Sequence, residues 1–397
     1  MLSFAINTNS VEESNLFLRK LWCELNEICE NAWLVCPFNQ KQRITIGRSN
    51  IGEISFDYRR KGCIKNLYID IKHGVDAEKL NLAVRRALSG KFKEFSVQMK
   101  LVPQHRKPLI APISKQNVSF CVNSNYNTLT LNIFAYSLLD AKKFLELKLW
   151  TLQALLYEYT LQYFEITLLK ICDSRFYIED TAQISYDYDW LDFSDRPLDK
   201  CTNIIVPQEC LLLINNLFSE KIHDLDILLY NSARILLTAN QMESGIECLM
   251  IPGITDVINS TAISSIEPLA YFINQQVGQC DKCGNKVFSI VAKIKELLTK
   301  YFDQSFASYY CKTYYSDRSK LFHQGYTKTN HIKYGSCYPL INPHDPSKIL
   351  MQASTVDPTL FDYSSYIFRN IIHEYYMGSL IIKNKEGKEV NLKKLKK

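Results

Sequence analysis

Only 13 of the 397 residues are glycine, well below the usual ~7%. That scarcity argues against collagen-like, Gly-rich linker and blade-repeat architectures. No run of ~18 uncharged apolar residues occurs, which argues against a membrane-spanning helix. The best candidate, residues 149–171, is interrupted by Glu158, Glu165 and Lys170. The N-terminal stretch MLSFAINTNSVEES has no basic segment leading into an apolar one, so no secretory leader is expected there. Familiar active-site signatures are missing too. There is no Gly-rich loop with Lys-Ser/Thr, no paired-His zinc helix and no Gly-x-Ser-x-Gly elbow. A large excess of one charge is also lacking. The net charge is +6, and residues 383–397, with seven Lys against two Glu, carry +5 of it. A nearly neutral body is not the footprint of a sequence-independent duplex binder.

What is present is enough apolar material for sizeable cores: 47% of the chain is hydrophobic and 22% charged, which excludes broad disorder. At ~150 residues per domain the length predicts two or three domains. Thirteen cysteines in so long a chain, an odd number and mostly in apolar surroundings, read as reduced core residues. The expectation is a soluble, cytoplasmic protein with no membrane partner.

The hydrophobic pattern changes character along the chain. Residues 15–32 have helical spacing, followed by strand-like segments at 43–47, 53–58 and 66–71. Asp76 reads as the cap of a helix that runs to Leu88 and stops at Gly90. Strands are predicted around 95–102, 118–122 and 128–135, one or two long helices over 138–170, and a strand pair at 174–187. From Pro207 onward strand signals nearly vanish, and helices are predicted at 208–218, 222–249, 261–277, 286–302, 306–323 and 361–381. The fold expectation is an α+β N-terminal domain over 1–200, an all-α antiparallel helical bundle over 205–382, and a flexible basic tail over 383–397. The boundary is expected in the polar stretch 192–203.

The most informative segment is YYCKTYYSDRSKLFHQGY, residues 309–326. Arg318 and His323 lie five positions apart, which on a regular helix turns them roughly 140° from one another. One helix face cannot present both to a small ligand. They could converge if the helix loosened near Gly325, or if two copies met across a dimer axis. A neutral imidazole could then take a proton from a ribose 2′-hydroxyl, and a guanidinium could hold the phosphate and stabilise developing charge. Cleavage would leave a cyclic phosphate without a metal. The plainer alternative is an exposed Arg ion pair and a His at the negative end of a helix dipole.

The segment YYSDRSKLFHQG resembles the motif helix of the HEPN superfamily, most closely its Apea-like branch, in which a Tyr/Asp-Arg-Ser sequence leads to His and Gly. STAISSIEPLAYFI, residues 260–273, resembles that branch's second core helix, and residues 286–302 resemble the helix preceding the motif. The similarity extends over about 205–382. It implies a paired helical bundle that cuts RNA in defence or toxin settings without a cofactor, with Arg318 and His323 as the catalytic pair and Ser319 as their neighbour. Many active members carry Asn, Asp or His directly after the Arg, where this chain has Ser319. The alternative that the resemblance implies is a non-cutting module for RNA, nucleotide binding or dimerisation.

Cys280 and Cys283, followed by glycine, form a zinc half-site that would need two further ligands, from Cys311, Cys248, Cys337, His331 or His344. The same pair also reads as a tight turn with two reduced thiols, or as a redox pair. Basic residues interleave with Phe92 and Phe95, which could stack on unpaired bases. Tyr363, Tyr366, Tyr375 and Tyr376 look exposed on one helix, a plausible dimer contact.

Overall fold

The computed structural model describes residues 1–29, 34–39, 43–72, 76–104, 109–176, 178–180, 204, 206–219, 222–245, 253–276, 278–279, 286–287, 290–325, 339–342, 345–351 and 357–391. The chain divides into two compact units, but not at a single point. One holds Met1–Ser96, Asn132–Leu147 and Ile171–Arg175; the other holds Val97–Leu131, Lys148–Lys170 and Phe176–Lys397. The expected cut within 192–203 falls outside the described residues.

The first unit opens with β1 (Leu2–Ala5) and α1 (Val11–Ile28), then β2 (Leu34–Asn39), β3 (Ile44–Arg48), β4 (Gly52–Arg60), β5 (Cys63–Ile71) and α2 (Ala77–Ser89). The strands form an antiparallel sheet in the order β1-β5-β4-β3-β2. Helix α1 starts four residues earlier than its hydrophobic spacing suggests, because Ser10 caps it. The Ser10 hydroxyl accepts from the Glu13 amide, and the Glu13 carboxylate accepts from the Asn9 amide. Asp76 caps α2 as expected, accepting from the amides of Glu78 and Lys79. Leu21 and Leu25 of α1, Leu80 and Val84 of α2, and Ile54 and Leu67 of the sheet bury one shared core.

A second sheet has the order β10-β6-β9-β8-β7, from β6 (Lys93–Pro103), β7 (Ile113–Lys115), β8 (Val118–Val122), β9 (Asn127–Ala135) and β10 (Phe164–Cys172). Helix α3 (Leu138–Thr160) precedes β10. The expectation of helix throughout 138–170 is therefore corrected. The Thr160 hydroxyl turns back to the Leu156 carbonyl, Leu161 takes a positive φ of 50°, and the stretch Phe164-Glu-Ile-Thr, with an aromatic and two β-branched residues, then runs extended. Of the pair expected at 174–187, residues 177 and 181–187 lie outside the described residues, and 174–176 and 178–180 form no strand.

Helices dominate the described residues of the second unit after position 207. They are α4 (Gln208–Leu217), α5 (Asp224–Gly245), α6 (Ile254–Ser264), α7 (Ile266–Ile273), α8 (Ile290–Tyr301), α9 (Gln304–Tyr310), α10 (Ser316–Gln324) and α11 (Pro358–Met377). Helix α5 packs on α6 and α7, α7 on α8, and both α10 and α11 on α6. The single helix expected over 261–277 is two helices that break at Ser265. Pro268 explains the break: it has no amide hydrogen for the carbonyl four residues earlier, and tolerates only a helix's first turn. Strands do occur in this half, contrary to expectation, as three two-stranded ribbons. These are β11 (Gly278–Gln279) with β12 (Lys286–Val287), β13 (Pro339–Asn342) with β14 (Asp345–Met351), and β15 (Ile381–Lys383) with β16 (Glu389–Asn391). The last ribbon occupies the start of the expected flexible tail. The Lys383 carbonyl accepts from the Gln275 amide, which ties that ribbon to the end of α7. No helix among the described residues is long and apolar enough to cross a membrane.

Candidate functional site around Arg318

Arg318 sits in the first turn of α10, which is entered through a π-helical turn at Cys311–Tyr315. The sequence shows a continuous helical pattern here and no signal of this wider turn. Such bulges insert one extra residue into the helix and recur at functional positions. At this one, Tyr315 is buried. Its hydroxyl donates to Oε1 of Glu267 at 2.8 Å. The same oxygen pairs with the Arg318 guanidinium at 2.7 Å, and Nε of Arg318 donates to the Ser264 hydroxyl at 3.0 Å. The guanidinium carbon also lies within cation–π range of two rings, 5.3 Å from the centroid of Tyr315 and 5.0 Å from that of Phe322. Burial, and then the neighbouring Glu267 carboxylate, hold the Tyr315 hydroxyl well above the usual phenol range, so it stays a donor.

The Arg318 anchors straddle the α6–α7 break: Ser264 ends one helix and Glu267 lies in the first turn of the next. Sequence reasoning singled out Arg318 but not Ser264, Glu267 or Tyr315. The signal available was the Ser-Ser-Ile-Glu-Pro run, in which proline forces a turn and places a carboxylate at a helix start. The side chain of Arg318 keeps 18% exposure and that of Glu267 23%, so the pair is held in place without being sealed from solvent.

His323 lies in the last turn of α10 and is exposed. It lies five positions along a regular helix from Arg318, so the two side chains leave the axis roughly 140° apart. Within one chain they are not brought together. The helix does not loosen at His323: Gly325, at a left-handed φ of 65°, closes it with its amide bonded to the Leu321 carbonyl. Ser319 is half-buried beside Arg318 in sequence.

The remaining sequence candidates fare differently. Cys280 and Cys283 lie outside the described residues, as do Cys248, Cys337, His331 and His344. Cys311 is described and free, its thiol pushed up by burial. Among the described residues no group of three or more His, Cys, Asp or Glu could hold a metal ion. Phe95 is only 1% exposed, so it cannot stack on a base. Phe92 is half-buried, with the Arg19 guanidinium 5.0 Å from its ring. The tyrosines of α11 are not an exposed stripe either. Tyr375 is buried, and Tyr363, Tyr366 and Tyr376 are half-buried. Tyr363 packs against Phe302 and Phe306, and Tyr375 against Phe272 and Tyr376. A helix with apolar partners on several sides buries aromatic residues that its sequence alone would leave outside.

No family model, curated protein or solved structure matches this chain.

Proposed function

We propose that the helical part of this protein is a HEPN-like antiparallel bundle that pairs with a second copy and cleaves RNA without a metal. The observation that carries this reading is the state of Arg318, a partly exposed side chain whose guanidinium is already held by Glu267 and Ser264 near two aromatic rings, on the same short helix as an exposed His323. A positively charged fork held before substrate arrives needs no reorganisation when charge develops on a phosphate. Because the two groups diverge on one helix, the complete site requires the Arg318 of one copy beside the His323 of the other.

In this reaction the imidazole of His323 accepts the proton of a ribose 2′-hydroxyl, and the 2′-oxygen attacks the adjacent phosphorus. Arg318 stabilises the extra negative charge. The 5′-oxygen leaves with a proton from the second copy's protonated imidazole, giving a 2′,3′-cyclic phosphate and a 5′-hydroxyl. Ser319, next to Arg318 on α10, would hydrogen-bond a phosphate oxygen in this scheme. The setting would be cytoplasmic, in defence against foreign RNA or in a toxin system.

A second reading, a non-cutting RNA- or nucleotide-binding module, is favoured by one observation: Glu267 already neutralises Arg318 within its own chain. Incubation of purified protein with single-stranded RNA in EDTA separates the two. The nuclease reading expects cyclic-phosphate ends that vanish in His323→Ala while folding and dimerisation persist. Cleavage unchanged by that substitution eliminates it; binding without cleavage by the wild type establishes the second reading.

A further inference from the structure

Beneath the Ser264–Glu267 turn lies a buried carboxyl that the site does not use. Glu158 of α3 is fully buried, with 0% exposure. Its Oε1 lies 2.9 Å from the hydroxyl of Ser364 on α11, which lies 2.7 Å from the hydroxyl of Ser265 in the α6–α7 break. The Ser265 hydroxyl in turn lies 2.6 Å from the carbonyl of Ala262. Both serines are completely buried. Three short contacts link four oxygens in a row, and each needs one hydrogen.

The two serines supply only two hydrogens, because a hydroxyl carries one. The carbonyl of Ala262 supplies none, so Ser265 must donate to it. Ser364 must then donate to Ser265, and the contact between Ser364 and Glu158 is left to be filled from the carboxyl side. A carboxylate there would set two acceptors against each other in a dry interior. The other carboxyl oxygen points the same way: Oε2 of Glu158 has no hydrogen-bond partner among the described residues, which is costly for a buried anion and far less so for the carbonyl of a neutral acid.

We propose that Glu158 is a positioning residue whose protonated carboxyl donates to Ser364, completes the relay to Ser265, and thereby sets the α6–α7 turn from which Ser264 and Glu267 grip Arg318. The relay itself rests only on the hydrogen count. Its effect on RNA rests on the nuclease reading above.

The surroundings agree. Burial lifts the Glu158 carboxyl to about 8, against the pull of the Ser364 hydroxyl and the Arg369 guanidinium. Arg369 is the charged group facing it from α11, and Asp362 on that helix faces Arg369 in turn. Tyr157 is the titratable neighbour on α3 that feels its charge. The Ser365 hydroxyl donates to the backbone carbonyl of Glu158, so α3 and α11 are clamped whichever form the carboxyl takes. Ionising Glu158 removes one hydrogen from the row and leaves a buried charge next to the turn that holds Arg318.

The test compares wild type with Glu158→Gln, whose neutral amide can donate to Ser364 but cannot titrate. Urea midpoints are measured at about pH 6 and about pH 9. An acid with a raised folded-state pKa stabilises fully below the unfolded-state value and loses that contribution as pH rises through the folded one. The wild-type midpoint should therefore fall over this range by more than the variant's. Equal falls overturn the proposal, as does a Glu158→Gln protein that fails to fold while the Ser365→Ala control folds. The second measurement is RNA cleavage in EDTA at about pH 7 and about pH 9, read as the ratio of variant to wild-type rates. That ratio should rise about tenfold, the loss expected one unit above a carboxyl titrating near 8. A constant ratio with active enzyme shows that Glu158 does not position Arg318. If neither protein cuts RNA but the midpoints behave as expected, the relay stands and the nuclease reading is what fails.

Discussion

Arg318 and Glu267 are joined at 2.7 Å, and the carboxylate oxygen that makes this bond also receives the Tyr315 hydroxyl. Both ionic side chains are mostly covered, so the pair is less screened than a surface ion pair. Its worth lies mainly in geometry, since one oxygen fixes a guanidinium and a phenol from two turns of the same helical stretch.

Removing the acceptor should therefore be felt twice. Glu267→Ala leaves Arg318 and Tyr315 without their shared partner and should cost about 2–3 kcal/mol, whereas Glu267→Gln, which can still accept, should cost about 1 kcal/mol. Urea unfolding of both variants checks this. A double-mutant cycle with Arg318→Ala should return a coupling of roughly 1 kcal/mol or more.

His323 makes the opposite prediction. It is exposed, so His323→Ala should change stability by no more than about 0.5 kcal/mol, while a lost general acid/base should lower RNA cleavage by about 10²–10⁴. Thermal melts beside a cleavage assay decide it. A variant that both melts early and loses activity would place His323 in the structure rather than in the chemistry.

Two helix ends can be tested through their caps. Gly325 adopts a left-handed φ of 65° with nothing among the described residues within 4 Å of an added Cβ, so Gly325→Ala should cost about 1 kcal/mol from backbone strain. Asp357 caps α11 through the Thr359 amide and also accepts the Tyr314 hydroxyl at 3.0 Å. Asp357→Ala should lose about 1–2 kcal/mol, and part of it should vanish in a Tyr314→Phe background. Denaturation midpoints measure both.

Thiol chemistry provides a pH-dependent check on the first unit. Burial, with the nearby Asp140 carboxylate adding to it, pushes the Cys23 thiol up to about 12, and burial also raises Cys29. An unfolded thiol ionises near pH 9 while Cys23 does not, so its contribution to stability is whole below pH 9 and drains away between about pH 9 and 12. An alkylating reagent at pH 8 should label exposed Cys121 and leave Cys23, Cys29 and Cys210 unmodified until the protein unfolds. Peptide mapping after brief labelling would show it.

Local rules were sufficient for several elements. Asp76 and Gly90 bracket α2 as their chemistry requires, Gly325 ends α10, and the alternating stretches after residue 43 become β3, β4 and β5. The change from mixed strands and helices to a largely helical half was also legible, because it rests on the period of the hydrophobic pattern. The break at Ser265, which Pro268 imposes, was written in the sequence but hidden inside an apolar run that looked continuous.

The sequence alone determined where helices can start and stop, and which residue types could hold and move a proton near a phosphate; capping and periodicity act over a few positions. Tertiary structure decided which groups meet. It placed Ser264 and Glu267 against Arg318, buried Tyr375 and Phe95, and set Glu158 in line with two serines more than a hundred residues away from it. Those outcomes depend on contacts distant in sequence, whose energies are set by burial and by how many hydrogens a closed interior can share.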